Sequence, residues 1–386
     1  MDPVVVAPPA ASTARRARLA IAVTFAAHGA VFGTFATRIP WIQDRLALSP
    51  GLLGAALLTG SIGAILGMPF ASRFLHRFGG RRMTRLLMAA WCVAGALPPL
   101  APNLGALVAL LLLYGATSGM ADVAMNAQAI PVERSIGKSI MSGLHGAWSV
   151  GGMAASAVGA LLAHAGVDAR LHLAAVDAAV LVVALAVTSR LPANTADADS
   201  APPAHFVLPS KPVLLIGLVG FCAIFAESAS SDWCAVYLKK VLHTDAGTAA
   251  SAYTAFAFTM AASRFGADFA VRRFGAVRTV RAGGMVAVLG GLLVATALAT
   301  GSVIVGFALI GLGIAAAFPL AVAAAGHADP VPSRGITGVA TIAYGAGIAA
   351  PGIVGGIADI ASLPIAFAVV TAATLVIAAG AGRLRA

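Results

Sequence analysis

The sequence predicts an all-α polytopic membrane protein, with twelve transmembrane helices arranged as two pseudo-symmetric six-helix bundles. Of its 386 residues, 60% are hydrophobic and only 10% are charged, whereas a soluble protein carries about 25% charged residues. Apolar runs of about 20 residues, the length needed to cross a bilayer core, recur along the chain. The chain also repeats its own pattern at an offset close to half its length.

The apolar runs divide into twelve predicted spans. Helices are the plausible spanning element, because lipid offers no hydrogen-bond partner to backbone groups. Lys and Arg gather at one side of these spans, which by the positive-inside rule places both termini in the cytoplasm. The first run is too long for a signal-peptide core, so we expect a retained span. In chain order the predicted spans are 17–41, 51–72, 84–102, 105–130, 139–163, 169–190, 212–237, 246–268, 279–299, 301–325, 335–359 and 363–382.

Several classes of function are disfavoured by what the sequence lacks. The net charge of +11 comes without a nucleic-acid-binding motif, so we expect no nucleic-acid partner. There is no GxxxxGK[ST] loop for ATP and no HExxH or GxSxG motif, which argues against an ATP-driven pump or a membrane enzyme. The three cysteines match no metal or disulfide spacing. We therefore expect neither a cofactor nor a metal.

The internal repeat predicts the domain organisation. The string Arg77-Phe78-Gly79 recurs 196 residues later as Arg273-Phe274-Gly275. We expect an amino-terminal bundle over 1–190, a cytoplasmic linker over 191–211 and a carboxy-terminal bundle over 212–386.

Small residues recur at every fourth position in the second, fifth, eighth and eleventh spans. Such stripes let membrane helices approach closely, and four of them suit an interface that rocks. The alternative is that 43 glycines produce stripes by chance.

The chain as a whole resembles the major facilitator superfamily. The segment after the second span, MPFASRFLHRFGGRR, is similar to the cytoplasmic signature of that family, although Ser72 stands at the family's aspartate position. The resemblance implies the family's two-bundle fold and a charge latch at the cytoplasmic side. The residues matching this gate motif are Gly67, Arg73, Arg77, Gly79, Arg81 and Arg82 in the first copy, and Asp268, Arg272, Arg273 and Gly275 in the second.

Four further strings narrow the resemblance. The segments FGTFATRIPWIQD, DVAMNAQ, SGLHGAWSVGG and AESASSDWCAVYL are similar to a bacterial inner-membrane subgroup distantly related to fucose permeases. The resemblance implies a multi-pass protein of the bacterial inner membrane, but it names no solute.

Acidic residues within the spans are the first candidates for function, because charges at membrane depth usually face a cavity. Glu227 is the deepest and has no cation nearby in the sequence, as expected of a proton-coupling carboxyl. Asp232, a further proton-coupling candidate, lies on the same span and could pair with Arg38 of the first span. The alternative for that pair is two charges that snorkel to the outer surface.

A second group lies on the fourth and fifth spans. Asp122 shares a helix face with Asn126, and His145 shares one with Trp148. A proton shared between Asp122 and His145 is one hypothesis; a structural hydrogen bond between the two spans is the other. The candidates for solute binding are Arg38, Asn126, Trp148, Trp233, Tyr344 and, more weakly, His28.

These features together predict a secondary active transporter that moves a small polar solute, for example a sugar-like one, by alternating access. We expect coupling to protons and a monomer in the bilayer. The alternatives are efflux of drugs or metabolites by proton antiport, and a non-transporting sensor built on the same fold.

Overall fold

The computed structural model describes residues 11–136, 140–191, 211–328 and 332–385, apart from the side chains of 11–14, 72, 134, 142, 268, 332–334, 336, 337 and 344. Within these ranges the chain is helical and has no β-strand. Its α-helices are α1 Ala11–Ala36, α2 Ile39–Arg45, α3 Pro50–Phe78, α4 Gly80–Gly95, α5 Leu104–Ile136, α6 Met141–His164, α7 Ala169–Thr188, α8 Lys211–Val241, α9 Ala246–Phe274, α10 Ala276–Thr296, α11 Thr300–Ile314, α12 Ala317–Ala328, α13 Pro332–Ile360 and α14 Leu363–Gly380.

The helices confirm the predicted membrane architecture. In the described ranges, 11 segments are long and apolar enough to cross a membrane. The predicted eighth span is α9, a helix of 29 residues that carries several arginines and is not among those segments. Two predicted spans are each interrupted by a short break, between α1 and α2 and between α11 and α12. The chain is thus an all-α polytopic membrane protein with twelve spans.

Helices α1–α7 pack mainly against one another, as do α8–α14, so the molecule has two halves. The halves meet chiefly where α3 packs on α13 and where α6 packs on α9. These are the four helices whose small residues predicted the interface. The small residues of α3 make two different contacts. Gly51 and Gly54 lie against α13, whereas Gly63 and Gly67 lie against α5 of their own half. Part of the stripe therefore serves packing within one half.

The internal repeat is visible in the backbone. Gly79 ends α3 with φ +84°, and Gly275 ends α9 with φ +81°. A positive φ at such a junction favours glycine, because other residues pay a steric cost there. The two halves thus turn in the same way at equivalent positions.

The arginines of the gate motif surround these two turns. Arg77 lies in the last turn of α3, as do Arg272 and Arg273 in α9, where a positive charge complements the helix dipole. Arg73 and Arg77 also place their guanidinium groups near aromatic rings of their own helix. Arg81 and Arg82 begin α4 and are exposed. The Asp268 side chain and the linker over 192–210 lie outside the described part, so the latch stays a prediction.

The two halves are joined at the end of the bundle opposite the termini, here called the distal end. Lys240, at the end of α8, forms an ion pair with Asp44 of α2. His164 Nδ1, at the end of α6, lies 3.4 Å from Asp245 Oδ1 at the start of α9. Asp245 also accepts hydrogen bonds from backbone N–H groups that open α9, and hydrogen bonds from Thr248 hold the pKa of its carboxyl well below its usual range. The structure is closed at this end.

This closure gives a first testable prediction. In the double variant Asp44→Cys/Lys240→Cys, a disulfide or short cross-link is expected to abolish transport, because the distal end could no longer open. Reduction of the disulfide should restore it. The native cysteines Cys92, Cys222 and Cys234 are buried and do not compete for the reagent. Each single-cysteine variant serves as the control, and full transport in the cross-linked protein would contradict a moving distal end.

Candidate solute-binding site

A cavity of about 320 Å³ lies between the two halves. Its size falls at the lower end of the range for small-molecule sites, about 300–1,000 Å³. Helices α1, α3, α5 and α6 contribute to one wall, and α8 and α13 contribute to the other. Its polar and aromatic lining consists of Phe32, Phe35, Ser61, Tyr114, Ser118, Trp148, Glu227, Ser228, Ser231 and Asp232.

Glu227 has a cation partner that the sequence did not suggest. Arg264 of α9 donates from Nη2 to both carboxylate oxygens of Glu227, at 2.9 and 3.1 Å. The same guanidinium donates from Nη1 to Ser149 Oγ of α6, at 2.9 Å. Glu227 and Arg264 belong to one half and Ser149 to the other. Arg264 therefore connects the cavity carboxylate of one half to a serine of the other. The sequence around Glu227 holds no cation, and its partner Arg264 comes from the next helix, α9.

Arg264 was missed because the predicted eighth span ended too early, at residue 268. The helix continues to Phe274, so Arg264 lies ten residues, about 15 Å, before its end. An arginine at that depth in a membrane helix marks an internal site. The recognisable signal was the polar character of α9.

Asp232 lies five residues after Glu227 on α8 and also lines the cavity. Within the described part of the chain, its carboxylate has no hydrogen-bond or ion-pair partner. On the opposite wall, the hydroxyl of Tyr114 is buried and likewise has no partner. Tyr114 lies within electrostatic range of Asp232. The cavity therefore presents an unpaired acceptor, Asp232, while the unpaired Tyr114 hydroxyl lies buried in the opposite wall.

Trp233 was predicted to bind solute, and the structure places it elsewhere. It is fully buried and packs against Gly54 of α3 and Gly355 of α13, outside the cavity lining. Trp233 lies on the side of α8 that faces α3 and α13, whereas its neighbour Asp232 lines the cavity. Trp233 instead fills the contact between the two halves.

The sequence suggested that Arg38 could pair with Asp232, but in the structure it does not. It lies in the break between α1 and α2, which is followed by Pro40. Its Nε donates to His172 Nδ1 of α7 at 2.8 Å, and the residue is 3% exposed. The break turns the arginine into its own half, away from the cavity lining. A continuous helix over 17–41 was assumed, and the proline break is why that assumption failed.

Because Arg38 and Asp232 are apart in the structure, we expect substitutions at these two positions to act independently. Arg38→Ala should lower thermal stability, since it removes a buried hydrogen-bonded cation. Adding Asp232→Ala should give no compensation, because the two side chains do not interact and distant effects add within about 0.5 kcal/mol. Thermal unfolding of the two single variants and the double variant measures this. A stability loss in the double variant smaller than the sum of the single losses would show instead that Arg38 and Asp232 interact.

His28 holds Trp148 at the cavity wall. Trp148 Nε1 donates to His28 Nδ1 at 3.0 Å, and His28 Nε2 lies 3.3 Å from the Ser118 carbonyl oxygen. Because the indole N–H can only donate, Nδ1 must accept and Nε2 carries the proton. The imidazole also stacks on Trp91, with centroids 5.0 Å apart. His28 thus lies behind the cavity and orients its aromatic wall.

Asp122 and His145 are not joined by a hydrogen bond in the described contacts. Asp122 instead accepts from Asn126 Nδ2 at 3.1 Å, which confirms that these two share a helix face. His145 lies against Phe25, within range of the charges of Glu227 and Arg264. Asp122, Asn126 and His145 are not among the residues that line the cavity. The Tyr344 side chain falls outside the described part of the chain.

Comparison with known proteins now identifies the family. The sequence profile of the Major Facilitator Superfamily matches residues 21–351. An uncharacterised transporter, y4wD, of Sinorhizobium fredii is 31% identical over 91% of this chain and 93% of its own length. An uncharacterised MFS-type transporter of Yersinia pestis is 29% identical over 93% of both chains.

A solved structure of a mutant of the nucleoside transporter NupG superposes with a TM-score of 0.78. The superposition covers 96% of this chain and all of that one, at 12% sequence identity. At that identity the likeness establishes the fold alone. Profile, relatives and fold agree over nearly the whole length, and the chain belongs to the Major Facilitator Superfamily of membrane transporters.

Proposed function

We propose that this protein is a proton-coupled secondary active transporter that carries a small polar, sugar-like solute across the bacterial inner membrane by alternating access. The observation that supports this most directly is the cavity between the halves, which both halves line and which is closed at the distal end. A solute in such a cavity changes sides when the two halves rock about it.

The cavity lining suits a hydroxylated solute. Four serine hydroxyls and two carboxylates offer hydrogen bonds, and Trp148 offers a flat aromatic face. At about 30 Å³ for each water molecule, the cavity holds roughly ten of them, which corresponds to a solute of roughly ten non-hydrogen atoms. A large amphipathic drug would need more room and a more aromatic wall.

Proton coupling is assigned to Glu227 and its partner Arg264. A proton on Glu227 would cancel the charge that holds Arg264, and Arg264 is the residue that reaches Ser149 in the other half. Protonation would therefore loosen a link between the halves and favour their separation. His145, beside this pair, is a secondary coupling candidate, while Asp122 is more distant from the cavity.

The single chain is the proposed transport unit, since its two halves together line the cavity. The arginines around Gly79 and Gly275 lie at the same end of the bundle as both termini, and we assign that end to the cytoplasm.

Uptake by proteoliposomes containing the purified full-length protein tests this function. A panel of labelled sugars, sugar acids and sugar amines is offered with and without a pH gradient. We expect flux of at least one of these solutes above empty liposomes, and net accumulation only with the gradient. Equal flux with and without the pH gradient would contradict proton coupling. No flux of any solute in the panel would favour a sensor on the same fold.

A further inference from the structure

The charges around the cavity do not balance. Of the two lining carboxylates, Glu227 is matched by Arg264, which lies behind it on α9. Asp232 is matched by nothing in the described chain, and the described lining contains no lysine, arginine or histidine. An unpaired carboxylate at membrane depth is costly unless a positive charge or a proton accompanies it. The described part of the chain supplies no such positive charge.

Hydroxyl groups line the same space from the other half. Ser61 and Ser118 belong to the cavity lining there, whereas the unpaired hydroxyl of Tyr114 is buried in the wall. A serine hydroxyl can both donate and accept a hydrogen bond. A ligand that suits both walls would offer a positive donor to Asp232 and hydroxyl groups to these serines.

The aromatic part of the lining agrees with a cation. Phe32, Phe35 and Trp148 lie on the wall opposite Asp232. The faces of aromatic rings attract ammonium groups, most strongly where water is excluded. A neutral solute would use these rings only for apolar contact.

We propose that the solute is a small hydroxylated amine whose ammonium group binds Asp232 and whose hydroxyl groups form hydrogen bonds with the serines of the cavity lining. The proposal rests on the proposed function, in that it takes the cavity as the solute site. It moves Asp232 from the proton-coupling residues to the solute-binding residues and leaves coupling to Glu227. A charge-assisted hydrogen bond from an ammonium to a carboxylate is among the stronger polar contacts available to such a site.

Matched pairs of ligands test the charge requirement on the wild-type chain. D-Glucosamine is compared with D-glucose, D-galactosamine with D-galactose, and ethanolamine with ethylene glycol. Binding is measured as a shift of thermal unfolding, because a ligand that binds only the folded form stabilises it. A thiol-reactive dye reports unfolding, since all three cysteines are buried. We expect at least one amine to stabilise the protein, and its hydroxyl partner to do so at least about tenfold more weakly.

The variants then locate the contact. Asp232→Asn should lower the affinity for the stabilising amine by about tenfold or more, since it removes the charge but keeps the shape. Asp168→Asn, a change of the exposed α7 cap, is the matched control and should leave it unaltered. If Asp232→Asn does not fold, the wild-type comparison still decides. Equal stabilisation by amine and alcohol, or stabilisation by no amine, would overturn the proposal and leave Asp232 with a proton.

Failure here is distinguishable from failure of the proposed function. Gradient-driven uptake of a neutral sugar without uptake of any amine would keep the transporter and discard the amine. Binding of an amine that no gradient can move into liposomes would keep the amine site and discard proton-coupled transport.

Discussion

Glu227→Gln is expected to abolish accumulation driven by a proton gradient while sparing exchange of solute between the two sides. One proton moved per solute lets a gradient of one pH unit sustain about tenfold accumulation, and the variant should show none. Glutamine keeps the shape and can still accept from Arg264, but it cannot take up and release a proton. Labelled solute in proteoliposomes, with the gradient imposed in either direction, measures the accumulation.

The control for this experiment is Asp168→Asn, which neutralises an exposed carboxylate at the start of α7. Asparagine caps a helix about as well as aspartate, so accumulation should match that of the wild type. Counterflow with preloaded solute shows whether Glu227→Gln still exchanges. Undiminished accumulation in Glu227→Gln would remove this residue from the coupling mechanism.

Arg264→Ala is expected to destabilise the protein and to stop transport, because it leaves Glu227 without a cation and breaks the contact with Ser149. Loss of one partner from a fully buried ion pair costs about 3–5 kcal/mol. Here the two side chains are 22% and 23% exposed, so water offsets part of this cost and we expect about 1–3 kcal/mol. Thermal unfolding followed with the thiol-reactive dye measures the loss.

The double variant Arg264→Ala/Glu227→Gln separates the ion pair from simple loss of packing. Removing the unmatched charge should recover part of the stability, giving a coupling energy of about 1–3 kcal/mol. Ser149→Ala should destabilise less, since Arg264 would keep its stronger partner. If Arg264→Ala and Glu227→Gln add without coupling, the ion pair does not hold the structure together.

Much of the fold follows from short-range rules that a single sequence carries. Apolar runs of bilayer length predict the spans, and the strings at Gly79 and Gly275 predict two halves that turn alike. The four helices at the interface are also recognisable, because small residues in a membrane helix indicate close approach. Within the cavity, Trp148, Glu227 and Asp232 were predicted from the cost of placing polar groups in a membrane.

What the sequence could not supply is which polar groups meet. Arg38 turns toward His172 because of a helix break at Pro40, and hydropathy does not register such a break. Arg264 joins Glu227 across two helices, a contact with no local signature. Asp232 and Trp233 are consecutive residues, but Asp232 lines the cavity and Trp233 is buried against α3 and α13. Only the packing of these helices determines which of the two is buried. Side-chain partners depend on helix rotation, which a hydropathy profile leaves undetermined.

The central claim is that the two halves rock about the cavity, and paired spin labels test it most directly. One pair, Pro102→Cys with Leu298→Cys, reports the distal end, and a second pair, Arg82→Cys with Arg278→Cys, reports the opposite end; all four residues are exposed. Distances between labels are compared at two pH values, with and without a stabilising solute. We expect the distal distance to lengthen as the other shortens. If both stay fixed, or both change in the same direction, the two halves do not alternate.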